Sequence, residues 1–149
     1  MTVAVMLAIC ALLGGQAQTY GKESVRLYVF TAEAAPGSSP DETVKGRLAA
    51  VRELRDALRH KAGLSVVDDR AHADVVVEVI GREQQDAGEG GFGGVKLGAI
   101  VTTTIRLVVT SGEHQTEMKG MGSGSGSRAA KDAADRLLKW IVRNRLDRS

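Results

Sequence analysis

The chain has little of several things, and each shortage excludes something. It holds one cysteine, Cys10, in 149 residues, so an internal disulfide and a thiolate metal cluster are both ruled out. Aromatic residues make up 3% of the sequence. A stacking platform for bases or sugars is therefore not expected, and the core must rest on Val, Leu, Ile and Ala. The formal net charge is only +2, too small for the electrostatic footprint of a nucleic-acid binder. No apolar run reaches the roughly 20 residues that a membrane-spanning helix needs.

What is present is an ordinary globular composition, 43% hydrophobic and 26% charged, in a length that suits one domain. The first charged side chain is Lys22. Ahead of it, Val3 to Leu13 (VAVMLAICALL) has the length of a signal-peptide h-region. Gly14, Gly15, Gln16 and Ala17 follow, with small residues at −3 and −1 of a cut after Ala17. The run carries no Lys or Arg before it, and the alternative is a buried first strand or helix. Ile9 before Cys10 does not fit a lipidation site. The expectation is a signal peptide over 1–17 and one thiol-free α/β domain over 18–149, located in the periplasm or secreted.

Ser24 to Thr31 (SVRLYVFT) alternates with period two and predicts a strand with Val25, Leu27 and Val29 on one side. Ala34 to Pro40 is rich in breakers. Ser39, Pro40 and Glu42 then form a capping-box helix start. Val44, Leu48, Val51, Leu54 and Leu58 make one apolar stripe. Gly63 supplies the stop, with His60 and Lys61 in the last turn.

Short strands are expected at Leu64 to Val67 and Asp74 to Ile80, the second apolar on nearly both faces. Between them lies the polar turn Asp68-Asp69-Arg70. Gly81 to Gly94 reads as a long mobile connection, and Val95 to Thr110 as the longest strand. Ser111-Gly112-Glu113 turns the chain into a partner strand, His114 to Met121. Gly120 to Ser127 (GMGSGSGS) has linker composition, and its Ser-Gly repeat at 122–127 reads as a loop, but the helix after it is too well patterned for a detached tail. A last helix follows, with Ser127 as N-cap and a stripe of Ala130, Ala133, Ala134, Leu137, Leu138 and Ile141.

This order predicts a two-layer α/β sandwich, an α+β fold with a mixed sheet of about five strands and both helices on one face. The first helix joins parallel strands by a right-handed crossover. The other sheet face, carrying Thr102, Thr104, Arg106 and Glu78, is solvated or a docking surface.

The stretch from Val51 to Glu113 resembles small periplasmic domains of the TolB amino-terminal and curli-assembly CsgG type. The matching positions are Val66, Val67 and Asp68 after the helix, the Ala73-Asp74 step into a central strand, and Thr110 and Gly112 at the hairpin. The resemblance implies a non-enzymatic envelope domain that works by binding other proteins.

Candidate chemistry has bland explanations throughout. The glycines of GEGGFGG join two strands, and Lys96 is followed by Leu97, so a hairpin tip is expected rather than a phosphate loop. His60, His72 and His114 lack metal-ligand spacing. Asp68 and Asp69 suit a turn, and Asp74 a strand start. The C-terminal helix carries Lys139, Arg143 and Arg145 among its cations, which suits solvent, or contact with an anionic surface or acidic partner.

The leading expectation is a protein-interaction domain without cofactor or metal, meeting an envelope partner through Arg106, Lys139, Arg143 and Arg145. The alternative is a small exported hydrolase using carboxylates near Asp68, Asp69 and Asp74. A structural subunit that self-associates through an edge strand is a third reading.

Overall fold

A computed structural model describes residues 24–32, 42–87, 91–92, 95–96 and 100–146. The Val3 to Leu13 run, Ala17 and the Ser39-Pro40 cap lie outside these residues.

β1 (Val25–Phe30) alternates as its sequence requires, burying Val25, Leu27 and Val29. α1 (Glu42–Arg59) crosses to β2 (Leu64–Val67), which pairs parallel with β1. The chain leaves α1 through Gly63 at φ +79°, a left-handed conformation that glycine adopts at no steric cost. A 3₁₀ turn at Arg70–His72 leads into β3 (Val75–Ala87), parallel to β1 on its other side. β4 (Gly91–Phe92) and β5 (Val95–Lys96) form a small hairpin of their own. β6 (Ile100–Ser111) and β7 (His114–Ser123) complete the sheet, and α2 (Gly126–Leu146) follows.

The five strands lie in the order β2-β1-β3-β6-β7, parallel at the β2 end and antiparallel from β3 onward. Both helices pack on the same face and against each other. The core between the layers joins Leu27, Leu54, Leu58, Val77, Ile105, Leu107 and Leu137, all fully buried. The expected α/β sandwich is the fold observed.

Four expectations need correction. First, β3 is longer than its apolar stretch, and residues 81–87 are strand rather than connection. They are held by pairing with β6 as far as Ala87 opposite Ile100, which overrides their polar composition. A bulge between Val79 and Gly81 shifts the register, so that Arg82 faces the helices beside Ile105. Second, β6 starts at Ile100, and Val95 belongs to the small hairpin.

Third, the α1 stripe is rotated from the expected one. Ala50, Leu54 and Leu58 are buried, whereas Leu48 is 45% exposed. The rotation follows from α1 contacting α2 as well as the sheet.

Fourth, the loop expected over 122–127 shrinks to Gly124 and Ser125. β7 runs through Ser123, α2 begins at Gly126, and Ser127 sits inside the helix rather than capping it. A Cβ at Gly120 would lie 2.3 Å from the Ala129 carbonyl oxygen, and one at Gly122 would lie 2.3 Å from the Ala129 nitrogen. These glycines let α2 lie directly on the strand.

Candidate functional site

The face of the sheet away from the helices is built from all five strands. Outward positions of β1 carry Arg26, Tyr28 and Phe30. Tyr28 stands opposite Val67 of β2 and Val76 of β3, and Phe30 opposite Glu78. Glu78 in turn faces Val108, and Val76 faces Thr110. All of these except Arg26 are half-buried. The Tyr28 and Phe30 rings stack with centroids 5.6 Å apart at 21°. The Arg70 guanidinium lies 5.7 Å over the Phe30 ring, a cation–π contact that ties the 3₁₀ turn to this band.

At the other end of the face the character changes to charge. Arg106 donates to Glu117 on β7 at 3.1 Å and sits 3.6 Å from Glu83 on β3. Donating to Glu117, with the charges of both carboxylates nearby, raises the pKa of the guanidinium above its ordinary value. Glu83, Gln85, Thr104, Arg106 and Lys119 line a shallow cavity of about 540 Å³. The bulge in β3 is what brings Glu83 and Gln85 onto this face.

The candidate binding residues do not converge. Arg106 lies on the open face as expected, but Lys139 and Arg143 are exposed on α2, on the opposite side of the sheet. The side chain of Arg145 lies outside the described residues. On α2, Arg136 pairs with Asp132 at 2.9 Å, and Asp135 pairs with Lys61.

The three candidate carboxylates are each engaged separately. Asp68 pairs with Arg55 of α1. Asp69 caps the 3₁₀ turn by accepting from the Ala71 N–H at 2.9 Å, and its other oxygen meets His72 Nδ1 at 2.8 Å. That backbone hydrogen bond, then the His72 contact, holds its pKa below the usual carboxylate value. Asp74 accepts from the Arg26 N–H at 2.9 Å and from its guanidinium at 3.0 Å, while the Asp74 N–H bonds back to the Arg26 carbonyl. It thus clamps the start of β3 to β1. A cavity of about 280 Å³ at the end of α2 contains Asp74, Trp140 and Asn144, but neither Asp68 nor Asp69. Among the described residues no group of His, Cys, Asp and Glu is arranged to hold a metal ion. His60, His72 and His114 are all exposed, on separate elements.

Sequence reasoning missed the aromatic band. Its signal was present: β1 and β3 are apolar at positions of both parities, although only one parity meets the helices.

No protein-family model and no curated protein sequence matches the chain. Among solved structures, a hypothetical protein from Chlamydia trachomatis is similar over 82% of this chain and 95% of its own, at 16% identity and a TM-score of 0.39. A putative lipoprotein from Caulobacter crescentus CB15 is similar over 79% of this chain and 91% of its own, at 14% identity and a TM-score of 0.41. No helix of the described residues is long and apolar enough to cross a membrane.

Proposed function

We propose that this chain is an exported, non-catalytic interaction domain that docks an envelope protein on the open face of its sheet. The observation that carries the reading is the band of Tyr28, Phe30, Val67, Val76 and Val108, which neither helix covers. An apolar centre bordered by Arg106, Glu83 and Glu117 has the anatomy of a protein-binding patch, with a hydrophobic middle and a polar rim. The resemblance of Val51 to Glu113 to TolB amino-terminal domains points the same way. Asp68, Asp69 and Asp74 each hold a separate structural contact, so the geometry favours docking over hydrolysis.

Export rests on the Val3 to Leu13 run and its small-residue cleavage pattern. The test is site-specific photo-crosslinking in intact cells, with the photoreactive residue at Val108 on the open face or at Leu48 on α1. Position 108 yields one discrete adduct and position 48 none, in a protein whose mass begins at Gln18. Equal adducts from both positions, or none from 108, overturn the reading.

A further inference from the structure

Main-chain hydrogen-bonding capacity remains along the outer edge of β7, which has β6 on one side and no described strand on the other. The two-residue turn pairs Ser111 with His114. Even-numbered residues of β7 therefore exchange main-chain bonds with β6, and odd-numbered ones turn away. Met121 agrees: its N–H points off the edge and is taken by Asp132 of α2 at 3.0 Å. Short of that cap, Gln115, Glu117 and Lys119 present their main-chain groups along the edge, with exposed side chains on the open face.

Charges on an edge strand ordinarily discourage pairing. Here their order is self-complementary. Set antiparallel against itself about Met118, β7 places Glu117 opposite Lys119 of a second copy, and Lys119 opposite that copy's Glu117. Sliding the register by two residues either way opposes Glu117 to Glu117 or Lys119 to Lys119, which is destabilising. Parity agrees too, since Glu117 and Lys119 both face the edge and such a pair exchanges both of its main-chain bonds.

Lys119 also gains a partner it lacks. It stands opposite a like charge, Arg106 of β6, and no carboxylate among the described residues forms an ion pair with it. On the helix side, half-buried Met118 meets its own counterpart at the axis, beside a cavity of about 380 Å³ that Trp140 and Lys139 also line. We propose that β7 is a dimerisation edge, joining two copies of this chain into one continuous sheet in the Glu117–Lys119 register. Glu117 also borders the open face, but cross-linking through Met118, on the helix side, reads the edge without touching that face, so the two readings fail separately.

Sedimentation equilibrium of the protein as purified from its cells reads the association directly. A dimer is expected, with E117K and K119E each weakening it by about tenfold and the E117K/K119E swap restoring it. The register is read by oxidation of M118C in a C10S background. Met118 and its counterpart form a non-hydrogen-bonded pair with Cα atoms about 4.5 Å apart, within disulfide reach. M118C therefore becomes a covalent dimer, whereas Q115C, which faces Met121, does not. A monomer at all concentrations, a dimer indifferent to both charge reversals, or cross-linking by Q115C in place of M118C overturns the proposal. Thermal unfolding checks that the exposed substitutions at 115, 117 and 119, and the half-buried one at 118, leave the fold intact.

Discussion

The two helices cover one sheet by different means. α1 fills space: Leu54 and Leu58 are fully buried between the sheet and α2, with Ala50 alongside. The first half of α2 removes space instead. Ala129, Ala130, Ala133 and Ala134 are all fully buried, and beneath them β7 offers Gly120 and Gly122 in place of side chains. One contact derives its stability from apolar area, the other from close approach of two backbones, where dispersion is strong and tolerance is low. The first resembles a core that can be repacked; the second fixes where the helix sits.

The largest effect that tests this contrast is expected in α1. Leu54→Ala leaves a cavity in the centre of the core and should cost about 4 kcal/mol in urea unfolding. Leu48→Ala, six residues earlier on the same helix but 45% exposed, should stay within about 0.5 kcal/mol. Comparable losses at the two positions would mean that the inward face of α1 is misassigned.

A somewhat smaller effect of the opposite steric kind belongs to β7. Alanine normally suits a strand better than glycine does. Gly120→Ala should reverse that sign and destabilise by about 3 kcal/mol, because the new methyl would meet the Ala129 carbonyl oxygen at 2.3 Å and the Ala133 nitrogen at 2.6 Å. Both neighbours are helix backbone, which cannot step aside as a flexible side chain would. A neutral or stabilising result would show that α2 does not rest on this strand.

The same contrast explains what the sequence disclosed. Where burial is achieved by large apolar side chains, periodicity is readable: β1 and β2 fall within a residue of expectation, and Leu54, Leu58, Leu137 and Ile141 are inward as the stripes require. Where contact is achieved by absence, composition misleads. GMGSGSGS has the makeup of a flexible linker, yet two of its glycines lie at strand spacing beneath a run of alanines at helix spacing. That matched pair of small-residue periodicities was the available signal.

Residues 81–87 were obscure for another reason. Their polar composition carries no strand signal, and pairing with β6 is a long-range effect. The candidate site was half legible. Arg106 and its threonine neighbours were placed correctly on the open face, because period two fixes the face of a strand. Lys139 and Arg143 lie on the helix side, as two helices sharing one face require, so they and Arg106 never form one surface. The stacking of Tyr28 on Phe30 beneath Arg70 depends on a turn folding back over the sheet.

The smallest expected effect concerns an ion pair between the C-terminal end of α1 and the middle of α2. Lys61, just past α1, donates to Asp135 of α2. That hydrogen bond is the main reason the Asp135 carboxyl titrates below its ordinary value; burial opposes the shift, and the charges of Lys61, Lys131 and Lys139 reinforce it. A carboxylate with a depressed folded-state pKa adds stability above its unfolded value of about 3.9, and that contribution is lost as pH falls through the folded value. The Asp135 side chain is 44% exposed, so solvent screens most of the gain and the effect is small. Asp135→Asn should lower the urea midpoint slightly at pH 7, and the gap to the unaltered protein should close on acidification below about pH 4. Added salt at pH 7 should narrow the same gap. A gap that persists unchanged at pH 3 would assign the loss to altered contacts between the helices rather than to charge, and would make the two helices alike in being held by shape alone.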